Sequence, residues 1–450
     1  MKVSEWNICI PYNKGEILLN EITNAILYVE DENVEEANRA INGDFQVKNE
    51  IINSLIQGGF IIPDDFDETD RLKSRFNAYK FSSKFLRFTI ALTLDCNFSC
   101  QYCYQSQLVP FARPNTHKRF DEEMLRAVLT ATENLIKSER PHVLSITYYG
   151  GEPLLELKKL LEFSNAYKKM SKDYDLRYTS FVVTNGYLLT KNVAKKLVQS
   201  GVNSALVTLD GTQEFHDKYR PLKDGSGTFE TIYRNIKEVT EIMDITLRIN
   251  ISKDSVGSVK KLIRRLAADG VKVDFDFQMI EVVPGLPSNF HDGLLTLEEF
   301  AKVEVDLYKE VFKCFPNYEF NPFSEIRPAR CDALCKNSFV VEPDGKLYKC
   351  WGEVGSSRAN VGKINLNGSI SLNHRLDTWL AYSPFEDEEC KRCKIFPLCM
   401  GGCVFNSLLF EKLHVSPIKK PYRCIPLRYN LEAIVKLFTE RRRCQNGFHK

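Results

Sequence analysis

Several things are missing from this 450-residue chain, and each absence narrows what it does. Charge of one sign is not in excess: 61 Lys and Arg face 59 Asp and Glu. That balance gives no global field for nucleic acid or an anionic membrane, and neither is expected as a partner. No apolar run approaches the roughly 20 residues needed to cross a bilayer. Met1-Lys2-Val3-Ser4-Glu5-Trp6-Asn7 leads into no long apolar segment, so no secretory signal is read and the cytoplasm is expected. Solenoid repeats and low-complexity tracts are also missing. What remains is 43% hydrophobic residues, an ordinary globular composition, in a length that predicts about three domains.

The next thing lacking is a fourth ligand. Cys96-Asn97-Phe98-Ser99-Cys100-Gln101-Tyr102-Cys103 has the spacing C-x3-C-x2-C and supplies three thiolates. Structural zinc sites close their shell with four ligands. A cubane iron–sulfur cluster held by three cysteines keeps one iron open, which points to an enzyme. Part of a zinc site, or unrelated buried thiols, are the alternatives on the triad alone. The strand-like run Phe88–Leu94 directly precedes the triad, placing it in a loop at a strand's C-terminal end. Barrel enzymes put their chemistry there.

Other strand ends carry polar groups. Val143–Thr147 runs into Tyr148-Tyr149-Gly150-Gly151-Glu152-Pro153, where two glycines allow the backbone to approach a ligand closely. Ser180–Val183 runs into Thr184-Asn185-Gly186, and Ala205–Leu209, which includes Thr208, runs into Asp210-Gly211. Asn-Gly and Asp-Gly are also plain turn dipeptides.

The triad, with an aromatic before its last cysteine, and the Gly-Gly-Glu-Pro motif about 45 residues later resemble the signature of radical S-adenosylmethionine (SAM) enzymes. The resemblance implies a [4Fe-4S] cluster on Cys96, Cys100 and Cys103 whose open iron is chelated by SAM. It implies reductive cleavage of SAM to methionine and a 5′-deoxyadenosyl radical, fed by a reductant such as ferredoxin or flavodoxin. By the same resemblance Gly150, Gly151 and Glu152 bind the SAM amino group. Thr184, Asn185, Thr208 and Asp210 meet its ribose and carboxylate, and Asn250 is a further candidate at a strand end. Tyr102 and Tyr104 flank Cys103 and are candidates to contact the adenine or simply to pack. The segment Asp210-Gly211-Thr212 to His216-Asp217-Lys218-Tyr219-Arg220 resembles the peptide-modifying branch, in which Arg220 pairs with a carboxylate of SAM or substrate.

Nine of the 14 cysteines lie from Cys331 to Cys444. Their pattern is Cys331-x3-Cys335-x9-Gly345-x4-Cys350, then Cys390-x2-Cys393-x5-Cys399-x3-Cys403, then Cys424. It matches the SPASM motif, an auxiliary-cluster domain appended to radical SAM enzymes. The resemblance implies two further [4Fe-4S] clusters, one on Cys331, Cys335, Cys350 and Cys403, the other on Cys390, Cys393, Cys399 and Cys424. Disulfides are the alternative in an oxidising compartment, and two zinc sites remain open, since C-x2-C also suits zinc. Cys9, Cys314 and Cys444 fall outside the motif and read as lone thiols.

Residues 86–285 alternate strand-like runs with helical stretches at Glu122–Ser138, Glu156–Lys172, Asn192–Gln199, Thr228–Ile242 and Ser255–Ala268, with later strands at Ile245–Asn250 and Val273–Met279. Such units pair in parallel. The family implies an α/β fold, a partial (β/α)6 TIM-like barrel. The first 82 residues read as short strands at Ile8–Ile10, Glu16–Leu19, Ala25–Val29 and Phe60–Pro63, with helices at Val34–Ile41, Val47–Gln57 and Glu68–Tyr79. They resemble the winged-helix-like α+β domain that ribosomal-peptide (RiPP) maturases use to hold a precursor's leader segment; a bland packing domain is the alternative. The expected organisation is 1–82 for that domain, 83–285 for the barrel, 286–330 for a bridge with a helix at Leu297–Phe312, 331–426 for the SPASM region and 427–450 for a helical tail. Arg441-Arg442-Arg443 in the tail reads as a solvated face.

The expected function is an oxidoreductase that modifies a precursor peptide, with a Cys thioether the favoured crosslink and carbon–carbon or carbon–oxygen crosslinking or epimerisation as variants. An anaerobic sulfatase (formylglycine) maturase is the second expectation. In that group an Asp follows the third auxiliary-region cysteine as base, and here Trp351 follows Cys350. A zinc-stabilised, non-catalytic peptide-binding module is the third.

Overall fold

The computed structural model describes residues 1–103, 105, 118–280, 293–323, 328–356, 358–413 and 423–445; Tyr104 lies outside them. The chain forms two compact units. One contains Met1–Lys80, Pro316–Cys331 and Ser383–Lys450; the other contains Phe81–Phe315 and Asp332–Tyr382. The cysteine-rich segment is thus shared between them.

The first unit opens with β1 (Lys2–Val3), β2 (Asn7–Tyr12), β3 (Gly15–Asn20) and β4 (Ala25–Val29), followed by α1 (Asp31–Ile41), α2 (Asn49–Gln57), β5 (Ile61–Ile62) and α3 (Glu68–Lys80). β2, β3 and β4 form an antiparallel sheet, and β1 pairs with β5. Leu18 and Val29 meet Ala37 and Ala40 of α1, Leu55 of α2, and Phe60 and Ile61, so sheet and helices share one apolar core. Asn20 is buried beside it, which is tolerable because its amide is fully used. Its N–H groups reach Ser4 Oγ, Asn7 Oδ1 and the Gly59 carbonyl, and its Oδ1 accepts from Ile22 and Thr23.

In the second unit β6 (Phe85–Thr93), β7 (Val143–Gly150), β8 (Arg177–Thr184), β9 (Ser204–Thr208), β10 (Asp244–Ile251) and β11 (Asp274–Met279) are all parallel and lie in sequence order. The intervening helices are α4 (Glu122–Glu139), α5 (Leu157–Asp173), α6 (Lys191–Ser200), α7 (Gln213–Tyr219), α8 (Phe229–Val239) and α9 (Val256–Ala268), with α10 (Leu297–Cys314) after β11. Each strand lies beside its predecessor, the winding of a (β/α)6 partial barrel. Phe88, Ile90, Leu144, Ile146, Val182, Val207, Leu247 and Ile249 are buried at alternate positions along their strands, which lines one face of the sheet with apolar side chains. Local chemistry sets the helix ends. The Asp121 carboxylate accepts from Met124 N at 2.7 Å to start α4, Thr190 caps α6, and Gly201 ends α6 at φ 104°. A Thr296–Glu299 capping box starts α10.

The sheet continues beyond the expected barrel. β12 (Ser338–Val341) pairs in parallel with β6, and β13 (Lys346–Tyr348), β14 (Gly362–Ile364) and β15 (Ile370–Leu372) follow in antiparallel order. Glu139 pins the junction: its carboxylate accepts from Ser83 Oγ at 2.6 Å, Lys336 Nζ at 2.6 Å and Asn337 Nδ2 at 3.1 Å. The first unit ends with α11 (Leu427–Gln445), where the tail was expected to be helical. Arg442 and Arg443 are exposed there, whereas Arg441 Nε donates to the Tyr318 carbonyl at 3.1 Å. Among the described residues no helix is long and apolar enough to cross a membrane.

Candidate active site at the C-terminal ends of the barrel strands

The triad loop leaves β6 and is gripped from two sides. From β7, Gly151 N donates to the Thr93 carbonyl and Glu152 N to the Asp95 carbonyl, both at 2.8 Å. A Cβ on Gly150, at φ 139°, would lie 2.1 Å from Thr93 O, and one on Gly151 2.1 Å from Asp95 O. The two glycines therefore serve a close backbone-to-backbone approach, where the sequence suggested approach to a ligand. On the other side the loop pairs with the chain after α7. Ser99 N donates to Pro221 O (2.9 Å), Gln101 N to Tyr219 O (3.0 Å) and Lys223 N to Asn97 O (3.1 Å). Lys223 Nζ also reaches Asp95 Oδ1 at 2.7 Å.

This grip brings Cys96, Cys100 and Cys103 within electrostatic reach of one another. Burial pushes the Cys96 thiol up to about 12 and the Cys100 thiol up to about 11. Such thiols ionise at neutral pH only when a cation takes the charge, which is how metal ligation releases protons. Cys96 Sγ accepts from Phe98 N at 3.4 Å.

Two polar clusters face the loop. In the first, Glu152 is fully buried and its carboxylate is already engaged. Oε1 accepts from Thr184 Oγ1 (2.7 Å) and Leu154 N (3.0 Å), and Oε2 from Asn185 N (2.7 Å). Asn185 in turn donates to Asn97 Oδ1 at 2.8 Å inside the triad. Burial raises the Glu152 pKa, opposed by the three donors. Glu152 thus ties the ends of β7 and β8 to the cysteine loop.

The second cluster centres on Asp210, fully buried just beyond β9. Its Oδ1 accepts from Asn250 N at 2.7 Å and Asn250 Nδ2 at 3.3 Å, and its Oδ2 accepts from the Tyr102 hydroxyl. Arg220 Nη1 donates to that hydroxyl at 3.0 Å, and its Nε stands 3.9 Å from Asp210 Oδ2. Burial raises the Asp210 pKa and Arg220 opposes the rise. Arg220 Nε is buried with no hydrogen-bond partner. A buried guanidinium with an unused donor, within electrostatic reach of the Cys100 thiol, fits a ligand that brings a carboxylate. Thr208 lies at the end of β9, half-buried, in register with Arg248.

His216 has a place here that the sequence did not assign. It is buried, its Nδ1 accepts from Asp210 N at 3.0 Å, and its Nε2 lies 3.1 Å from Thr228 Oγ1, which donates to Arg220 O at 2.8 Å. With Nδ1 accepting, Nε2 carries the proton. Desolvation, then Arg220, holds its pKa well below 6.5, so the ring is neutral. The spacing of His216 between Asp210 and Arg220 was the available signal.

Trp351 packs on Tyr149, with ring centroids 4.7 Å apart, beside Ala91, Leu94 and Tyr348. In the first unit, Cys390, Cys393, Cys399 and Cys424 lie within electrostatic reach of one another, and none is in a disulfide. Burial pushes Cys390 up to about 12 and Cys399 up to about 11. Gly402 permits the contact between the two halves of this quartet: a Cβ there would sit 1.8 Å from Arg423 O. Among the described residues no three His, Cys, Asp or Glu side chains stand at single-ion spacing. A tetrahedral zinc brings its thiolates to about 3.8 Å of each other, whereas a four-iron core holds them farther apart.

Residues 90–272 match the family model for the radical SAM superfamily. A cysteine-type anaerobic sulfatase-maturating enzyme of Clostridium novyi is 24% identical over 340 residues, covering 69% of this chain and 86% of that protein. The radical SAM cyclopropyl synthase TigE of Paramaledivibacter caminithermalis is 21% identical over 417 residues, covering 87% of this chain and 81% of that protein. The solved structure of anSMEcpe with bound AdoMet (SAM) and Cp18Cys peptide shares the fold at TM-score 0.58 and 20% identity, over 81% of this chain and 99% of that one. The family's cofactors are a [4Fe-4S] cluster and SAM. With its triad at a strand end of the (β/α)6 sheet and its match across residues 90–272, this part of the chain is a radical SAM domain.

Proposed function

We propose that the chain is a peptide maturase that installs a crosslink, a thioether between a Cys sulfur and another residue's carbon, in a precursor peptide. Cys96, Cys100 and Cys103 hold the SAM cluster, and Arg220 supplies its unused Nε to the SAM carboxylate. In this reading Tyr102 serves the adenine, Thr184, Asn185, Thr208, Asp210 and Asn250 serve the ribose and carboxylate, and the Gly150–Gly151 backbone, packed on the triad loop, shapes the edge that receives the amino group. Glu152 acts through Thr184 and Asn185, to which its carboxylate is bonded. Bound SAM and its cluster supply a carbon radical able to take a hydrogen atom from an unactivated carbon. The protein's part is to fix that radical's neighbours and exclude water. Closing the C–S bond removes a hydrogen atom from the carbon, a proton and an electron from the thiol, and leaves the peptide two hydrogens lighter. With SAM bound and one electron supplied by a reductant, the hydrogen atom would end on 5′-deoxyadenosine, the proton would pass to solvent, and a cluster held by Cys390, Cys393, Cys399 and Cys424 would take up the second electron.

Two auxiliary [4Fe-4S] clusters complete the reading. Cys390, Cys393, Cys399 and Cys424 share the first unit; Cys331 and Cys403 belong to that unit and Cys335 and Cys350 to the other, so the second quartet rests on the motif. The N-terminal sheet and helices hold the leader segment by adding a strand to a sheet edge.

The observation that carries the reading is Trp351 packed at a tilt against Tyr149, which puts an aromatic where sulfatase maturases carry their basic Asp. TigE, matched over 87% of the chain, is not named as a sulfatase maturase either. The sulfatase reading draws support from the Clostridium novyi relative. Anaerobic incubation of reconstituted enzyme with SAM, dithionite and a Cys-containing precursor peptide separates them. Deoxyadenosine with a peptide two hydrogens lighter supports the crosslinking reading. An aldehyde formed on a sulfatase-derived Cys peptide supports the other, and intact SAM overturns both.

A further inference from the structure

The quartet Cys390, Cys393, Cys399 and Cys424 wears a charged collar that no step above uses. Asp387 caps the short helix that begins at Glu388, accepting from Glu389 N at 2.9 Å and Cys390 N at 3.0 Å. The same carboxylate takes both arms of Arg423, at 2.5 Å and 3.1 Å. Arg423 Nη2 also reaches Glu389 Oε2 at 2.9 Å. Arg423 is the residue before Cys424, so this fork fastens the first ligand's backbone to the last ligand's. Its side chain is only 9% exposed, which shields the pairing from solvent.

One helical turn beyond Cys424, Arg428 Nη1 donates to Cys424 Sγ at 3.1 Å and lies 3.5 Å from Glu389 Oε1. Hydrogen bonds to ligand sulfurs are one of the levers that set an iron–sulfur potential, and a cation there favours the form with the extra electron. Arginine keeps its charge at any working pH. We propose that Arg428 is a positioning residue that raises the reduction potential of the cluster on Cys390, Cys393, Cys399 and Cys424, held in place by Asp387, Arg423 and Glu389. This tunes that cluster toward accepting an electron. The inference rests on the quartet holding a cluster.

The test uses the full chain, reconstituted anaerobically with iron and sulfide, with Cys96, Cys100 and Cys103 replaced by Ala so that two clusters remain. Iron is counted, and both midpoints are followed by electron paramagnetic resonance. Arg428→Gln shifts one midpoint downward and leaves the other unmoved. Arg428→Lys, which keeps the charge, restores most of the shift. Arg442→Gln, an exposed control, moves neither. Full iron with unmoved midpoints in Arg428→Gln overturns the proposal. Iron loss in Arg428→Gln also overturns it, since the residue is then structural. A Cys390→Ala/Cys393→Ala variant that keeps its parent's iron count overturns the quartet assignment instead, so the two failures are distinguishable.

Discussion

The backbone N–H of Asp210 donates to Nδ1 of His216 at 3.0 Å, and the far side of the ring reaches the Arg220 carbonyl through Thr228. One neutral imidazole thus fixes both charged residues of the cluster around Asp210. Its pKa is held well below 6.5 by desolvation, so folding opposes protonation. The sign follows: above about 6.5 neither folded nor unfolded chain carries the proton, and below it the unfolded chain binds one that the folded chain resists. Stability is therefore lost as the pH falls below about 6.5 and on through the folded-state pKa. Thermal unfolding of the wild type, scanned downward from neutral pH, falls more steeply than that of His216→Gln. Parallel pH dependences would remove His216 as the source.

Gly150 and Gly151 give a contrast in cost. Ala at either position drives a Cβ to 2.1 Å from a carbonyl of the triad loop. Overpacking against backbone costs about 1–3 kcal/mol, and the left-handed φ at Gly150 adds about 1–2 kcal/mol. Gly225→Ala, at φ 86° with nothing within 4 Å of its Cβ, carries only the conformational part. Denaturant titration should rank Gly150→Ala as the most destabilising and Gly225→Ala as the least. Equal costs at Gly150 and Gly225 would show that the loop yields to the added methyl.

Much of the second unit is legible in sequence because its signals are local. The strand runs before Asp95, Gly151, Asn185 and Asp210 are short, apolar and followed by turn residues, and the strands end there. The triad's partners are less legible because they are set by pairing across long separations. Nothing near Cys96 announces that Tyr219, Pro221 and Lys223 line its loop, or that α7 forms between Asp210 and Arg220. The same holds for β12, whose place beside β6 depends on a partner some 250 residues earlier. Glycines next to a strand end signal a close approach, but not whether the neighbour is a ligand or, as at Thr93 and Asp95, the chain itself.

Arg220 should divide SAM affinity from stability. Its Nη1 holds the Tyr102 hydroxyl, and its buried Nε is left for an anion. A hydrogen bond to a charged group is worth about 1.5–3 kcal/mol, so Arg220→Gln weakens SAM binding about 10- to 100-fold. Lysine lacks the planar fork and recovers little of the loss. Equilibrium binding of SAM to the reconstituted enzyme reads this directly. A dissociation constant within about twofold of wild type would remove Arg220 from the SAM site.

Trp351 offers the sharpest separation of the two reactions. Its ring lies against Tyr149, one residue before the glycine pair, in an apolar seam with Ala91 and Leu94. Trp351→Phe keeps an aromatic contact and should leave crosslink yield close to wild type. Trp351→Asp recreates the acid of the sulfatase maturases but sets a carboxylate among apolar side chains. An unpaired polar group there costs about 1–3 kcal/mol, and its pKa rises, so it is a poor match to the basic role. The variant should therefore unfold at lower temperature and give no aldehyde on a sulfatase-derived Cys peptide, as read with a hydrazide probe and mass spectrometry. Aldehyde from Trp351→Asp, with none from the wild type, would mean that a single side chain at this strand end decides which reaction the radical serves.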